Sequence, residues 1–144
     1  MNGAADRPAE LFALDAAACL TLLRTQHVGR LVTTGVQARV VPVNYVVVDG
    51  VVVFRTAAGS DAARRVGTTA LFEVDMFDDR THSGWSVVVR GPLQPVPDGL
   101  DPVAIESWAP GERDAWLTVS VDEISGRLLR GAVEAPPRAP GGYL

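Results

Sequence analysis

Arg55 and Thr56, followed by Ala57, Ala58, Gly59 and Ser60, bring together the residue types that hold an anion. A guanidinium can form a paired set of hydrogen bonds with phosphate, and two hydroxyls add further donors. A glycine-containing loop leading into a helix also presents backbone N–H groups. The same residues suit a plainer task, in which Arg55 and Thr56 end a strand and Ser60 caps a short helix. Other constellations fail. His27 and His82 are the only histidines and Cys19 the only cysteine, with no metal-ligand spacing among them. No Ser-His-Asp arrangement has a recognisable context. Asp75, Asp78 and Asp79 cluster, but a solvated hairpin end accounts for them better than acid–base chemistry. Cys19 falls on an apolar helical face, as a small buried hydrophobe would. Redox chemistry would therefore have to come from a cofactor, with the protein positioning and tuning it.

The elements around the loop read mostly as strands. A short amphipathic helix starts after Asp15, a plausible N-cap, with Leu14 and Cys19 spaced as a hydrophobic staple. Val28 to Thr34 is rich in β-branched residues and stops at Gly35; Arg39 to Val48 continues in that style. Pro42 within it demands an edge or a bulge, because proline donates no ladder bond. Asp49-Gly50 between two triple-valine runs is a strong hairpin signal. Asp61 to Val66 reads as a short helix. Ala70 to Asp75 alternates apolar and acidic positions, and Trp85 to Val89 follows a polar loop. Ala104 to Trp108 reads as a helical turn closed by Pro110-Gly111, Trp116 to Val121 as a strand, and Ile124 to Leu129 as its sequel. Trp108 and Trp116 read as structural. The expectation is a mainly β fold, a six- to seven-stranded antiparallel split barrel with a few short helices. Closure removes the edges such strands would expose. Residues 1–13 are expected to be a flexible N-terminal segment, 14–130 the barrel domain, and 131–144 a mobile tail, since three prolines and three glycines fall in its fourteen residues.

Composition narrows the function classes. The 144 residues fit one domain, and 47% hydrophobic content supports a real core. All 13 basic residues are arginine and the net charge is -4, so any anion is held by guanidiniums, backbone N–H groups or hydroxyls. An acidic chain without a basic run argues against a nucleic-acid partner. Apolar runs fall well short of the roughly 20 residues a membrane span requires. The first residues lack the apolar stretch of a signal peptide. With one cysteine, the cytoplasm is the expected location.

Four segments in order resemble the pyridoxamine 5′-phosphate oxidase-like flavoprotein superfamily, in particular its small actinobacterial-type branch. They are Gly29-Arg30-Leu31, Val41-Pro42-Val43-Asn44-Tyr45, Phe54 to Ser60, and Gly84-Trp85-Ser86-Val87-Val88-Val89-Arg90-Gly91. A fifth, Trp108 to Arg113 followed by Ile124-Ser125-Gly126-Arg127, resembles the closing part of the same branch. Together they cover roughly residues 14 to 129.

The resemblance implies a homodimer of split barrels with FMN held at the subunit interface. It implies that Arg55, Thr56 and Ser60 meet the flavin phosphate, and that Arg39 flanks the ribityl chain and phosphate. Val43 and Asn44 would border the ring, with Asn44 offering a donor and an acceptor to its edge. Trp85 and Ser86 would lie near the flavin and the dimer contact, with Arg90 assisting charge balance; from the residues alone, Trp85 equally suits the barrel core or an interface, and Arg90 a surface charge or an interface ion pair. Asp61 departs from the lysine usual after the loop serine. At about 6 Å and an effective dielectric near 20, a carboxylate opposes each phosphate charge by on the order of 3 kcal/mol. Arg64 or Arg65, one turn on, could restore the balance. The implied activity is FMN-dependent oxidoreduction of a small substrate. A deazaflavin coenzyme on the same fold, or a non-catalytic flavin- or ligand-binding dimer, are the alternatives. Pyridoxamine phosphate oxidation itself is not expected, because the chain lacks a second set of phosphate-binding residues.

Overall fold

Turn chemistry sets the first boundary. Asp49 and Gly50 both take positive φ, 50° and 75°, the left-handed pair that a two-residue hairpin turn requires. They join β3 (Arg39–Val48) to β4 (Val51–Thr56), with Val48 opposite Val51 and Tyr45 opposite Phe54. The computed structural model describes residues 7–100, 111–112 and 114–132. The expected helical turn over 104–108, with Trp108, and the tail beyond Ala132 lie outside the described residues.

Before the hairpin come β1 (Glu10–Leu14), α1 (Ala16–Leu23) and β2 (Val28–Thr33). After it come α2 (Asp61–Arg64), β5 (Thr69–Asp78), β6 (Ser83–Pro95), β7 (Ala115–Val119) and β8 (Glu123–Arg130). The strand order is β1-β8-β6-β5-β2-β3-β4-β7, and a further β6–β7 pairing closes β2 to β7 into a six-stranded antiparallel barrel. Two strands, β8 and β1, extend it. The fold is mainly β, as expected, with two strands outside the barrel.

Two long strands make the closure possible. The first half of β3, Arg39 to Asn44, pairs with β2, and the second half, Tyr45 to Val48, pairs with β4. Pro42 therefore lies where β3 has one neighbour, so its missing N–H leaves no bond unmade. The 13 residues of β6 pair with β5 and β8 over most of their length, then with β7 at Leu93 to Pro95.

Alternation along these strands sends one side chain in two to the core. Leu31, Phe72, Val74, Val87, Val89 and Leu93 are buried, and the Tyr45 and Phe72 rings meet edge-on at 4.9 Å between centroids. A side chain at Gly29 would collide with the Phe72 ring, so that glycine is required by close approach. Asp15 caps α1, accepting from the Ala18 N–H at 2.8 Å, and the helix buries Cys19 and Leu23 against the barrel. Tyr45 donates its hydroxyl to the Leu23 carbonyl, which ties the helix end to β3. Burial raises the Tyr45 phenol well above its ordinary range.

β1 corrects the expectation of a flexible segment through residue 13. Residues 10–14 pair in register with β8, Glu10 opposite Arg130 and Leu14 opposite Gly126. Glu10 forms an ion pair with Arg130, whose guanidinium lies 5.7 Å from the Phe12 ring centroid. The cause is the open edge of β8, which another strand must cover. Nothing local in Glu10-Leu-Phe-Ala-Leu14 announces it.

Candidate functional site

The loop between β4 and α2 is shaped by its own polar residues. The Ser60 N–H donates to the Ala57 carbonyl at 2.9 Å, and Ser60 Oγ accepts from the Ala63 N–H at 3.1 Å. Ser60 is thus a helix cap, the plainer of its two roles, and its hydroxyl proton is still available to a ligand. Gly59 has no unusual φ, and a Cβ there would meet no atom of the described residues within 4 Å. Packing does not require this glycine; the space above the loop is open to a ligand. At the end of β4, Arg55 stacks its guanidinium 4.8 Å from the Trp116 ring centroid. Trp116 therefore supports an expected site residue.

Three more arginines converge beside the loop, all on Asp61. Arg65 Nε lies 2.9 Å from Asp61 Oδ2, while Arg39 Nε and Arg64 Nη2 lie 3.6 and 3.9 Å from Oδ1. Arg39 comes from the start of β3, and the fold brings it beside the loop. Guanidiniums outnumber the carboxylate three to one; Arg64 and Arg65 offset its charge, as their spacing allowed, and Arg39 adds a third. Hydroxyl, guanidinium and backbone donors around an open loop fit a phosphate group.

A second set of residues lies on the outer face of the sheet β3-β2-β5-β6-β8. Asn44 opposes Val28, and Ser86 opposes Asp75. In the adjacent row Pro42, Arg30, Glu73, Val88 and Ser125 stand opposite one another, and beyond it Val40, Val32, Leu71, Arg90 and Glu123. Asn44, Ser86 and Arg90 therefore share one face. Asn44 Nδ2 reaches the His27 carbonyl at 3.4 Å.

Two expected ring neighbours point the other way. Val43, adjacent to Asn44, packs against the barrel core. Trp85, adjacent to Ser86, is 9% exposed and turns to the inner side of the sheet. There it lines an apolar cavity of about 440 Å³ with Phe12, Met76, Phe77 and Leu128. Strand alternation sets both orientations, since consecutive residues cannot share a face, and the burial of Trp85 fits its barrel-core reading.

Charge at the centre of the outer face was not anticipated. Arg30 bridges Glu73 at 3.0 Å and Asp75 at 3.5 Å. Burial, reinforced by the neighbouring Asp75, pushes Glu73 up to about 7 despite the opposing pull of Arg30. Asp75 is thus part of a cross-strand network, not of a solvated hairpin end. The alternation of acidic and apolar residues at 72–75 was the available signal. Asp78 does belong to the hairpin end, where Arg80 holds its carboxyl below the usual range. Among the described residues, no group of histidine, cysteine or acidic side chains could hold a metal ion. No helix among them is long and apolar enough to cross a membrane.

Barrel topology and site residues together define a split-barrel protein. A family model described as pyridoxamine 5′-phosphate oxidase matches residues 15–128, and the chain belongs to that family. The uncharacterised protein Rv0080 of Mycobacterium tuberculosis is 38% identical over 96 residues, 62% of this chain. The match spans 63% of that relative, less than two thirds of its length. Among solved structures, the FAD binding protein of Mycobacterium smegmatis is 33% identical with a TM-score of 0.69, covering 84% of this chain and all of that one. A conserved protein of unknown function from Corynebacterium diphtheriae is 32% identical with a TM-score of 0.67, covering 82% of this chain and 97% of that one.

Proposed function

We propose that this chain is a cytoplasmic flavin-binding protein that works as a homodimer and carries out oxidoreduction of a small substrate with FMN. The observation that carries the reading is the arginine-girdled loop from Thr56 to Ser60, an anion seat beside the strand that bears Asn44. The FAD-binding relative from Mycobacterium smegmatis supports a flavin as the owner of that anion. Arg55, Thr56 and Ser60 hold the phosphate, and Arg39 neutralises it. Asn44 and Ser86, on one face, orient the polar edge of the ring, with Arg90 further along that face.

A bound flavin would supply the hydride and electron chemistry that no side chain here offers. The barrel interior is filled by packed side chains, so the cofactor lies outside it, and a second copy over the outer face would enclose it. The apolar residues of that face, Val28, Val32, Val40, Pro42, Leu71 and Val88, would supply the core of such a contact, interleaved with its polar and charged ones.

The test is a visible absorption spectrum of the purified protein with added FMN, or FAD, recorded alongside its sedimentation mass. Shifted flavin bands that travel with a dimer are expected. A colourless protein that ignores both flavins would sink the reading while leaving the fold intact.

A further inference from the structure

Asp61 carries a negative charge where the proposed ligand is also negative, yet every ion pair it makes is a link in the architecture of the loop. Arg65, paired with Asp61 Oδ2, also donates to the Thr34 and Gln37 carbonyls at 3.0 and 2.7 Å, which holds the turn between β2 and β3. Arg64 donates to the Gly59 carbonyl at 2.6 Å while lying 3.9 Å from Asp61 Oδ1. Arg39 opens β3 and meets the same oxygen through Nε at 3.6 Å. One carboxylate thus joins the start of β3, the turn before it and the phosphate loop.

Without it, three guanidiniums would repel one another, and the more exposed two would spread over many rotamers. With it, Arg39 and Arg64 are held beside the loop. A contact at Nε leaves the two terminal nitrogens of Arg39 for a second anion.

We propose that Asp61 is a positioning residue for the flavin phosphate, gathering Arg39 and Arg64 at the mouth of the Thr56–Ser60 loop and so raising phosphate affinity despite its own charge. This inference rests on the reading of that loop as a phosphate seat. Coulombic repulsion alone demands the opposite sign, because removing a carboxylate beside an anion should tighten binding. Preorganisation reverses it by lowering the ordering cost of the arginines.

The experiment compares FMN with riboflavin, which share a ring and differ by the phosphate. Dissociation constants are measured by fluorescence quenching for the wild type and for Asp61→Asn, Asp61→Ser and Asp61→Glu, with thermal unfolding as a check on folding. The Asn and Ser variants differ in shape, so misfolding of one leaves the other to decide. Both should bind FMN about tenfold more weakly, with riboflavin unchanged, and Glu should recover part of the loss. FMN binding as tight as wild type or tighter in Asp61→Asn overturns the proposal. So does an equal loss for riboflavin, which would report general loosening, or an absence of recovery with Glu. A wild-type chain that holds FMN no better than riboflavin overturns the phosphate seat itself, and the role of Asp61 with it.

Discussion

Arg55 and Glu73 illustrate two kinds of charged residue, one stacked on an aromatic ring at a strand end and one set within a cross-strand ion-pair network. Arg55 is held by Trp116, which fixes the plane of its guanidinium at the end of β4. A hydrogen bond to a charged group contributes about 1.5–3 kcal/mol. Arg55→Ala should therefore weaken FMN binding at least tenfold in an equilibrium titration; unchanged binding would remove Arg55 from the site. Glu73 makes its prediction through pH. Its folded value of about 7 lies above the ordinary 4.5, so between those values the native chain keeps a proton that the unfolded chain has released. Stability consequently falls as pH rises through that window, and the loss is complete above about 7. Glu73→Gln removes this titration. Its melting temperature should decline less than that of the wild type when pH is raised from about 5 to about 7.5. Identical slopes would show that Glu73 titrates at its ordinary value.

At the scale of elements, the legible parts were those with local causes. The Asp49-Gly50 turn, the Asp15 cap, the Ser60 cap and the awkward placement of Pro42 all follow from backbone chemistry within a few residues. The missed parts depend on distant strands. The Arg30–Glu73 ion pair spans 43 positions and exists because β2 and β5 lie side by side. The part of the charge balance at Asp61 that Arg64 and Arg65 supply is local and legible, whereas the third arginine, Arg39, arrives only through β3. Alternation turns the side chains of Val43 and Trp85 to the opposite face of the sheet from Asn44 and Ser86. The loop before α2 makes a further prediction. Because a Cβ at Gly59 meets no atom of the described residues within 4 Å, Gly59→Leu should melt within a few degrees of the wild type. It should nonetheless lose most of its FMN affinity, because the new side chain fills the space over the loop. Undiminished binding by this variant would place the phosphate elsewhere.

The whole molecule presents an outer face on which apolar side chains surround one charged network. Val40 is 63% exposed there, a costly position for a β-branched apolar residue in water and a natural one beneath a second subunit. Val40→Glu should halve the sedimentation mass and release flavin while leaving the far-ultraviolet circular dichroism unchanged. A variant that remains a dimer would move the interface off this face. The pairing of β1 with β8 has a different kind of consequence. Glu10 finds its partner only at Arg130, and β4 waits for β7 to supply Val119 opposite Val52. Such contacts close large loops late, which makes folding slow. A chain emerging from the ribosome therefore carries open strand edges until β7 and β8 have been made, and that is its period of greatest exposure to aggregation. Truncation before residue 123 would make that exposure permanent, since β1 and one side of β6 would both lose their neighbour.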